Sequence, residues 1–322
     1  MNGDDHDARQ AAETGRAVQF VDTFGGPEAL RIRAVPTPHA RPGQLRVKVT
    51  AAGLNPMDWF MTSDAKTAAR FRLTLPAGFG TDYAGVVDEV GDGVEGFAVG
   101  DRVFGGALSR SVADHVVVTP DGAIAVSGNA HHTPDGVDDR TAATLTIAGS
   151  TAAAALAVID LGPDDTVLIG GAGGGVGVFA VQLARLSGAR VLGTGSASSA
   201  DALRALGAEP VTYGEGLADR VRALAPDGIT AAMDLHGTDT AITARELGAP
   251  DDRIVTIAAV LEGITPANGA NAAAGALDHI ARLVGEGALR VPIDGVFALD
   301  DIRAAVELQA GRHVRGKVVI EL

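Results

Sequence analysis

The 322-residue chain contains no cysteine, which excludes disulfides, thiolate metal sites and a cysteine nucleophile. Aromatic residues make up only 4% of the sequence, so it offers few stacking platforms for nucleic-acid bases. The formal net charge of −14 disfavours binding to phosphate backbones and to anionic membrane surfaces. No window reaches the roughly 18 apolar residues of a membrane span, and the polar start has no apolar signal core. We therefore expect a cytoplasmic protein without a nucleic-acid or membrane partner.

The first part of the chain is predicted to be a tail followed by a β-rich domain. Residues 1–16 are polar and acidic, which is typical of a disordered tail. Short apolar runs bounded by Gly and Pro then predict strands of a compact β-barrel-like domain; the clearest runs are 45–54, 82–91 and 112–118. Within the second run, strand alternation predicts that Asp88 and Glu89 point to opposite faces.

The pattern changes to alternating strands and helices after about residue 140. Strands are predicted at 166–171, 189–195, 210–213, 229–235 and 253–259, and helices at 176–186, 200–206 and 217–224. Such alternation predicts an α/β fold with a parallel, doubly wound sheet. Past residue 290, a strand, a helix and the final KVVIEL strand could return to the first domain. The predicted domains are 17–140 plus 290–322, and 141–289.

The strongest local signal is VLIGGAGGGVGVFAVQLARL (167–186), in which an apolar strand leads into glycines and then into a helix. This context is typical of a turn that binds a pyrophosphate. Without Cβ atoms, residues 173–175 would let a diphosphate approach the backbone amides, and the helix start near Val176 offers free N–H groups. The pattern is Ala172-x-Gly174-x-x-Gly177, in which Gly177 allows close packing of helix on strand. The alternative is a glycine-rich turn that binds nothing.

The residues after the second predicted strand favour NADPH over NADH. An NAD site usually has Asp or Glu there, about 20 residues downstream, to bind the ribose 2′-hydroxyl. This chain has Gly195, followed by Ser196-Ala197-Ser198-Ser199, so no carboxylate repels a 2′-phosphate and hydroxyls can bond one. The alternative is that the serines only cap the following helix.

Six motifs together resemble the zinc-independent, zeta-crystallin-like quinone oxidoreductases of the medium-chain dehydrogenase/reductase superfamily. They are AAGLNPMDW (51–59), GTDYAGVVDEVGDGVEGFAVGDRVFG (80–105), GSTA (149–152), the glycine-rich loop, RALGAE (204–209) and HVRGKVVI (313–320). The resemblance covers residues 17–322. It implies a GroES-like β-barrel domain beside a Rossmann domain, a small-molecule substrate and a homodimer.

The resemblance also assigns roles to individual residues. It implies that Asn55 and Asp58 lie where the barrel-like domain meets the nicotinamide. Tyr83 and Asn55 are candidate donors to the oxygen on which charge develops, but an ordered water is the preferred candidate. The residues expected to bind the cofactor are Thr151, Ala172, Gly173, Gly174, Gly175, Val176, Gly177, Gly195, Ser196, Ser199, Tyr213 and Lys317. Trp59, Phe60 and Tyr83 are candidates for the substrate wall, and the alternative for Trp59 and Phe60 is the core.

Metal ligands are not expected. Asn55 stands where zinc-dependent relatives have a cysteine ligand, and their Gly-His-Glu segment is here Gly80-Thr81-Asp82. His131 and His132 lie in a loop rich in Pro and Asp and are expected to be exposed.

The chain departs from the family in two places. Relatives that prefer NADPH often carry a lysine where this chain has Ser199. The 260–275 segment, which helps to line the cleft in the family, lacks bulky groups and predicts an open pocket.

These observations predict an NADPH-dependent reductase of a quinone or an α,β-unsaturated carbonyl compound. One alternative is a pathway-specific enoyl or ketone reductase of secondary metabolism. Another is a dinucleotide-binding protein with little turnover. The step from family to substrate is an analogy, because one fold hosts many chemistries.

Overall fold

The computed structural model describes residues 13–322, so the predicted tail at residues 1–12 lies outside the described part. The tail prediction is wrong for residues 14–16, where the first strand has already begun. Arg16 fixes this end of the strand, because its backbone N–H and its guanidinium both donate to the carboxylate of Asp114.

The strands, in chain order, are β1 (Thr14–Phe20), β2 (Leu30–Pro36), β3 (Leu45–Leu54), β4 (Ala77–Gly78), β5 (Asp82–Val90), β6 (Arg102–Gly106), β7 (His115–Val118), β8 (His131–His132), β9 (Thr166–Gly170), β10 (Arg190–Gly195), β11 (Glu209–Thr212), β12 (Ala231–Asp234), β13 (Ile254–Thr256), β14 (Thr265–Pro266), β15 (Ile293–Ala298) and β16 (Lys317–Glu321). The α-helices are α1 (Pro56–Met61), α2 (Ala65–Arg70), α3 (Asp139–Ala142), α4 (Thr146–Ile159), α5 (Gly175–Leu186), α6 (Ala200–Leu206), α7 (Leu217–Leu224), α8 (Asp239–Glu246), α9 (Ala276–Gly285) and α10 (Ile302–Ala310).

The first domain is the GroES-like, barrel-type domain that the sequence predicts. Its larger sheet has the order β15-β16-β3-β5-β6-β8, with β7 also paired to β3, and a smaller sheet has the order β2-β1-β4. Since β16 pairs antiparallel with β3, the C-terminal strands join the sheet begun near the N-terminus. This pairing supports the proposed division of the chain, in which residues 141–289 are inserted into the first domain.

A bulge in β5 gives Asp88 and Glu89 an orientation that differs from the predicted one. Arg46 of β3 lies opposite Glu89, whereas the next residue of β3 lies opposite Val87, so Asp88 is the extra residue. Both carboxylates bond the Arg46 guanidinium. The prediction of opposite faces is therefore wrong, because a bulge interrupts strict alternation.

The second domain is a Rossmann-type, fully parallel sheet with the order β11-β10-β9-β12-β13-β14. The predicted doubly wound α/β fold is thus confirmed. Its central strand, β9, is buried along residues 167–170, as expected for a strand covered on both faces. Helices α4, α5 and α9 contribute to the core on one face, and α7 and α8 to the core on the other.

The alanine-rich helix α4 joins the two domains. The core beneath it includes Ala51, Ala84, Phe104 and Val319 of the first domain together with strands of the second. Small side chains allow α3 to lie close to β3 and β5, and α4 to lie close to β6. This junction places the start of α4 beside the start of β5.

We expect Gly53→Ala to lower the free energy of unfolding by about 1–3 kcal/mol. A Cβ at this position of β3 would lie 2.1 Å from the carbonyl oxygen of Ala143. Neither atom can rotate away, because the Cβ is attached directly to the backbone and the oxygen is part of it. Gly237→Ala is the matched control, because nothing lies within 4 Å of its Cβ position. Urea unfolding measures both variants. Equal stability of the two variants would contradict the packing of this junction.

Candidate active site

The glycine-rich loop has one side packed against its strand and one side open. Gly174 is the extended N-cap of α5. A Cβ at Gly177 would lie 2.2 Å from the carbonyl oxygen of Gly171, so this position requires glycine, as the sequence predicts. A Cβ at Gly173, in contrast, would meet only Leu203 Cδ2, at 3.8 Å. The first amides of α5 have no partner within the helix, so the loop offers N–H donors beside free space.

The segment that precedes β16 lies against this loop. The backbone N–H of Gly316 donates to the carbonyl oxygen of Gly173 over 2.9 Å. Lys317 follows directly, and its Cδ lies 3.3 Å from the position of a Cβ on Gly175. Gly316 itself has φ +92°, and a Cβ there would lie 2.1 Å from the carbonyl oxygen of Pro292. Only glycine therefore lets the segment reach the loop.

Lys317 begins a buried polar cluster at the junction of the domains. Its Nζ donates to Asn55 Oδ1 over 2.6 Å and lies 3.5 Å from Asp82 Oδ2. Asn55 in turn donates from Nδ2 to Asp82 Oδ2 over 3.0 Å. The other Asp82 oxygen accepts the backbone N–H of Ile147, at the start of α4. Since Lys317 is 2% exposed and Asp82 0%, the ion pair is inside the protein.

Asp58 completes the cluster from within the short helix α1. Its carboxylate accepts the backbone N–H of Asn55 over 2.8 Å and the hydroxyl of Thr81 over 2.6 Å. Asn55 is the N-cap of this helix and Asp58 its third residue, the spacing of a capping box. The Asn-Pro-x-Asp segment therefore folds so that both side chains lie beside Asp82.

Burial dominates the electrostatics of the cluster. It raises the pKa of Asp58 to about 7, against the opposing effect of the hydrogen bonds from Thr81 and Asn55. Burial also raises the pKa of Asp82 and lowers that of Lys317, while the attraction between these two charges opposes both shifts. Asp58 consequently titrates near neutral pH beside a Lys317–Asp82 ion pair. Perturbed titration at a domain junction is typical of functional sites.

The serine-containing turn lies at the carboxyl end of β10. Ser199 is buried, and its hydroxyl donates to the carbonyl oxygen of Ser196 over 2.8 Å. A Cβ on Gly195 would lie 2.4 Å from Ser199 Oγ, so no carboxylate side chain fits at Gly195 without moving this serine. Tyr213 is 58% exposed, and its backbone N–H donates to the Gly195 carbonyl, which places it beside the same turn.

Tyr83 does not join the cluster. It is fully buried in the barrel core, and its hydroxyl donates to the carbonyl oxygen of Asn129 over 2.7 Å. Burial raises its pKa above the ordinary value. The expectation that Tyr83 donates to a substrate oxygen therefore has no support in the geometry, because strand alternation directs it away from its neighbour Asp82.

Three other predicted residues are separate from the cluster. Trp59 packs against the core under α10 and donates its indole N–H to Gln309. Phe60 is 50% exposed. The Thr151 hydroxyl donates to the carbonyl oxygen of Ile147 within α4.

Sequence reasoning missed two residues of this site. The sequence places Asp82 only in a replaced ligand segment, although a carboxylate at the start of an apolar strand is a signal for a site residue. Arg315 lies in the HVRGKVVI segment without an assigned role, yet its Nη2 donates to Ser198 Oγ over 3.1 Å.

The structure also bears on metal binding and membrane insertion. Within residues 13–322, no group of three or more His, Asp or Glu side chains is arranged to hold a metal ion. The expectation that His131 is exposed is wrong, because this residue is partly buried and its Nδ1 bonds Asp278 over 2.7 Å. None of the described helices combines the length and apolar character needed to cross a bilayer.

Comparison with known proteins shows the family. The family model "Alcohol dehydrogenase GroES-like domain" matches residues 41–155, and "Zinc-binding dehydrogenase" matches residues 206–320. Quinone oxidoreductase from Pseudomonas aeruginosa is 31% identical over 335 residues, which cover 95% of this chain and 99% of that protein. Human quinone oxidoreductase is 38% identical over 186 residues, which cover 56% of this chain but only 52% of the human protein.

A solved structure extends the likeness to the whole fold. The quinone oxidoreductase from Coxiella burnetii superposes with a TM-score of 0.84 at 30% identity, covering 96% of this chain and 100% of that one.

Asp58→Asn is expected to remove a pH dependence of stability. Because the folded-state pKa is about 7 and unfolded aspartate titrates near 4, the folded protein binds this proton more tightly. The resulting stabilisation is complete below the unfolded pKa and is lost as pH rises through the folded pKa. Asn does not titrate. The free energy of unfolding of the variant, relative to wild type, should therefore be higher at about pH 8 than at about pH 5.5.

Urea unfolding at both pH values measures this effect, with Asp201→Asn as the control because Asp201 is exposed. The control should follow the wild-type profile. A difference between Asp58→Asn and wild type that is the same at both pH values would contradict a raised pKa for Asp58.

Proposed function

From the premise that this chain belongs to the quinone oxidoreductase family of medium-chain dehydrogenases/reductases, we propose that it binds NADPH and reduces a quinone or an α,β-unsaturated carbonyl compound without a metal. One observation carries the proposal. The open glycine-rich loop and the buried Lys317–Asn55–Asp82 cluster adjoin each other, because the same C-terminal segment contacts both.

The residues present fit a dinucleotide. The open side of Gly173 leaves room for a diphosphate above the amides that begin α5. No carboxylate stands at Gly195 to repel a 2′-phosphate, and the hydroxyls of Ser196 and Ser198 would be partners for one. Tyr213 is exposed beside them. When bound, NADPH supplies the hydride, and the protein supplies position and electric field.

The buried cluster would act on the nicotinamide end by orientation and charge. Lys317 lies beside Gly175 of the loop. Its ammonium is held by Asn55 and Asp82, so its positive charge has a fixed position. A preorganised cation stabilises negative charge that develops on a nearby substrate oxygen. We assign Lys317, Asn55 and Asp58 as positioning residues. The proton that completes the reduction would come from water.

A protein cation supports the proposed zinc independence. Asn55 stands where zinc-dependent relatives have a cysteine ligand, and its side-chain oxygen is bonded by the Lys317 ammonium. Thr81, at the place of a histidine ligand, donates to Asp58. The oxygen donors of this site are thus engaged by protein groups rather than converging on an open position. The family resemblance further leads us to propose a cytoplasmic homodimer.

Gly173→Val should weaken NADPH binding without lowering stability. The added side chain would project into the free space over the loop and meet little of the protein. We expect the Kd for NADPH to rise at least about tenfold, equivalent to about 1.4 kcal/mol. Calorimetric titration measures the Kd and thermal unfolding the stability. Gly177→Ala should instead clearly lower the stability, because its Cβ would lie 2.2 Å from the backbone carbonyl oxygen of Gly171.

Unchanged NADPH affinity in a folded Gly173→Val protein would contradict a cofactor site at this loop.

Turnover is tested by following NADPH oxidation against a panel of quinones and enones, with NADH in parallel. We expect oxidation of NADPH by a simple quinone. Lys317→Met should lower kcat about 10- to 100-fold, because it removes the fixed positive charge. Lys48→Met, which removes an exposed lysine of β3, is the control. Combining Lys317→Met with Asp82→Asn avoids leaving a buried charge unpaired.

Tight NADPH binding without oxidation across the panel would contradict the proposed substrate class and favour a specialised substrate or a protein with little turnover.

A further inference from the structure

We propose that Arg315 binds the 2′-phosphate of NADPH and so sets the cofactor preference; this inference rests on the dinucleotide site proposed above. The residue lies in the C-terminal segment, more than 100 positions from the serine-containing turn, and its guanidinium contacts that turn through Ser198.

The backbone of Arg315 is held on both sides. Its own N–H donates to Asp294 Oδ2 over 3.1 Å. The N–H of the following residue, Gly316, donates to the carbonyl oxygen of Gly173 in the glycine-rich loop. The side chain therefore begins at a fixed point beside the loop and extends along it to Ser198. This direction leads from the diphosphate region towards the expected adenosine ribose.

The Arg315 guanidinium has N–H donors left for a further ligand. No carboxylate among residues 13–322 lies within 4.0 Å of it as a salt-bridge partner, whereas Arg190 and Arg204 of the second domain pair with Glu209 and Asp201. A guanidinium carries five N–H donors in a planar fork, and one is used by Ser198. Phosphate oxygens match this fork in charge and in geometry.

Arg315 accounts for the missing lysine in the turn. Relatives that prefer NADPH often have a lysine where this chain has Ser199. Ser199 cannot replace that charge, since its hydroxyl is buried and donates to Ser196. Arg312, in the same C-terminal segment, lies over the ring of Trp59 at 5.8 Å. Arg315 is thus the cation of this segment that contacts the turn.

The test compares two adenosine fragments that differ only in the 2′-phosphate: adenosine 2′,5′-bisphosphate and 5′-AMP. Calorimetric titration of the full chain gives both Kd values without any turnover. Arg315→Ala should weaken adenosine 2′,5′-bisphosphate about 10- to 100-fold, the usual range for losing a charge-assisted contact. It should leave 5′-AMP within about twofold, since that fragment lacks the charge recognised.

Two further variants sharpen the result. Arg312→Ala, an exposed cation three positions away, should bind both fragments as wild type does. Arg315→Lys should retain part of the preference, because it keeps the charge but loses the fork. It also keeps the test valid if Arg315→Ala folds poorly.

The outcomes separate this inference from the proposed function. Equal binding of both fragments by wild type would overturn the NADPH preference itself. A wild-type preference that survives in Arg315→Ala would overturn only the role of Arg315. Equal weakening of both fragments by Arg315→Ala would also overturn it, because the residue would then support the loop rather than recognise the phosphate.

Discussion

The hydrogen bond from Lys317 to Asn55 holds together the parts of the molecule that make the site. It joins residues 262 positions apart, and Asp82 binds both of them from a third segment. Asp82 also accepts a backbone N–H from α4, so the same carboxylate ties the barrel-type domain to the first helix after it. One buried ion pair and the Asn55 amide thus tie together three separate segments of the chain at the junction.

Buried charge of this kind is costly for stability. Removing two carboxyls and an ammonium from water is offset only in part by their mutual attraction and hydrogen bonds. The raised pKa of Asp58 and the lowered pKa of Lys317 express that cost. Apolar replacements of buried ion pairs are often neutral or stabilising, so this cost agrees with the proposed role of the cluster in chemistry at the adjoining loop.

The fold was largely predictable because its signals are local. An apolar strand followed by a Gly-rich turn and a helix at 167–186 predicts a β–turn–α unit of the dinucleotide-binding type from neighbouring residues alone. Helices α6 and α7 were predicted at their observed bounds because both end where apolar periodicity stops. The acidic pair on β5 was not predicted correctly, since a bulge is set by pairing with β3 and leaves no clear mark in one strand alone.

The sequence by itself determined the family, the doubly wound α/β architecture and the glycine positions, because glycine requirements and strand–helix alternation act within a few residues. The tertiary structure alone decided which polar side chains meet. Tyr83 carries a plausible functional group, yet alternation buries it in the barrel. The sequence predicts no role in the site for Asp82 or Arg315, yet the return of the chain along β16 brings Asp82 to Lys317 and Arg315 to Ser198. Such meetings depend on contacts between segments far apart in sequence, and no local pattern encodes them.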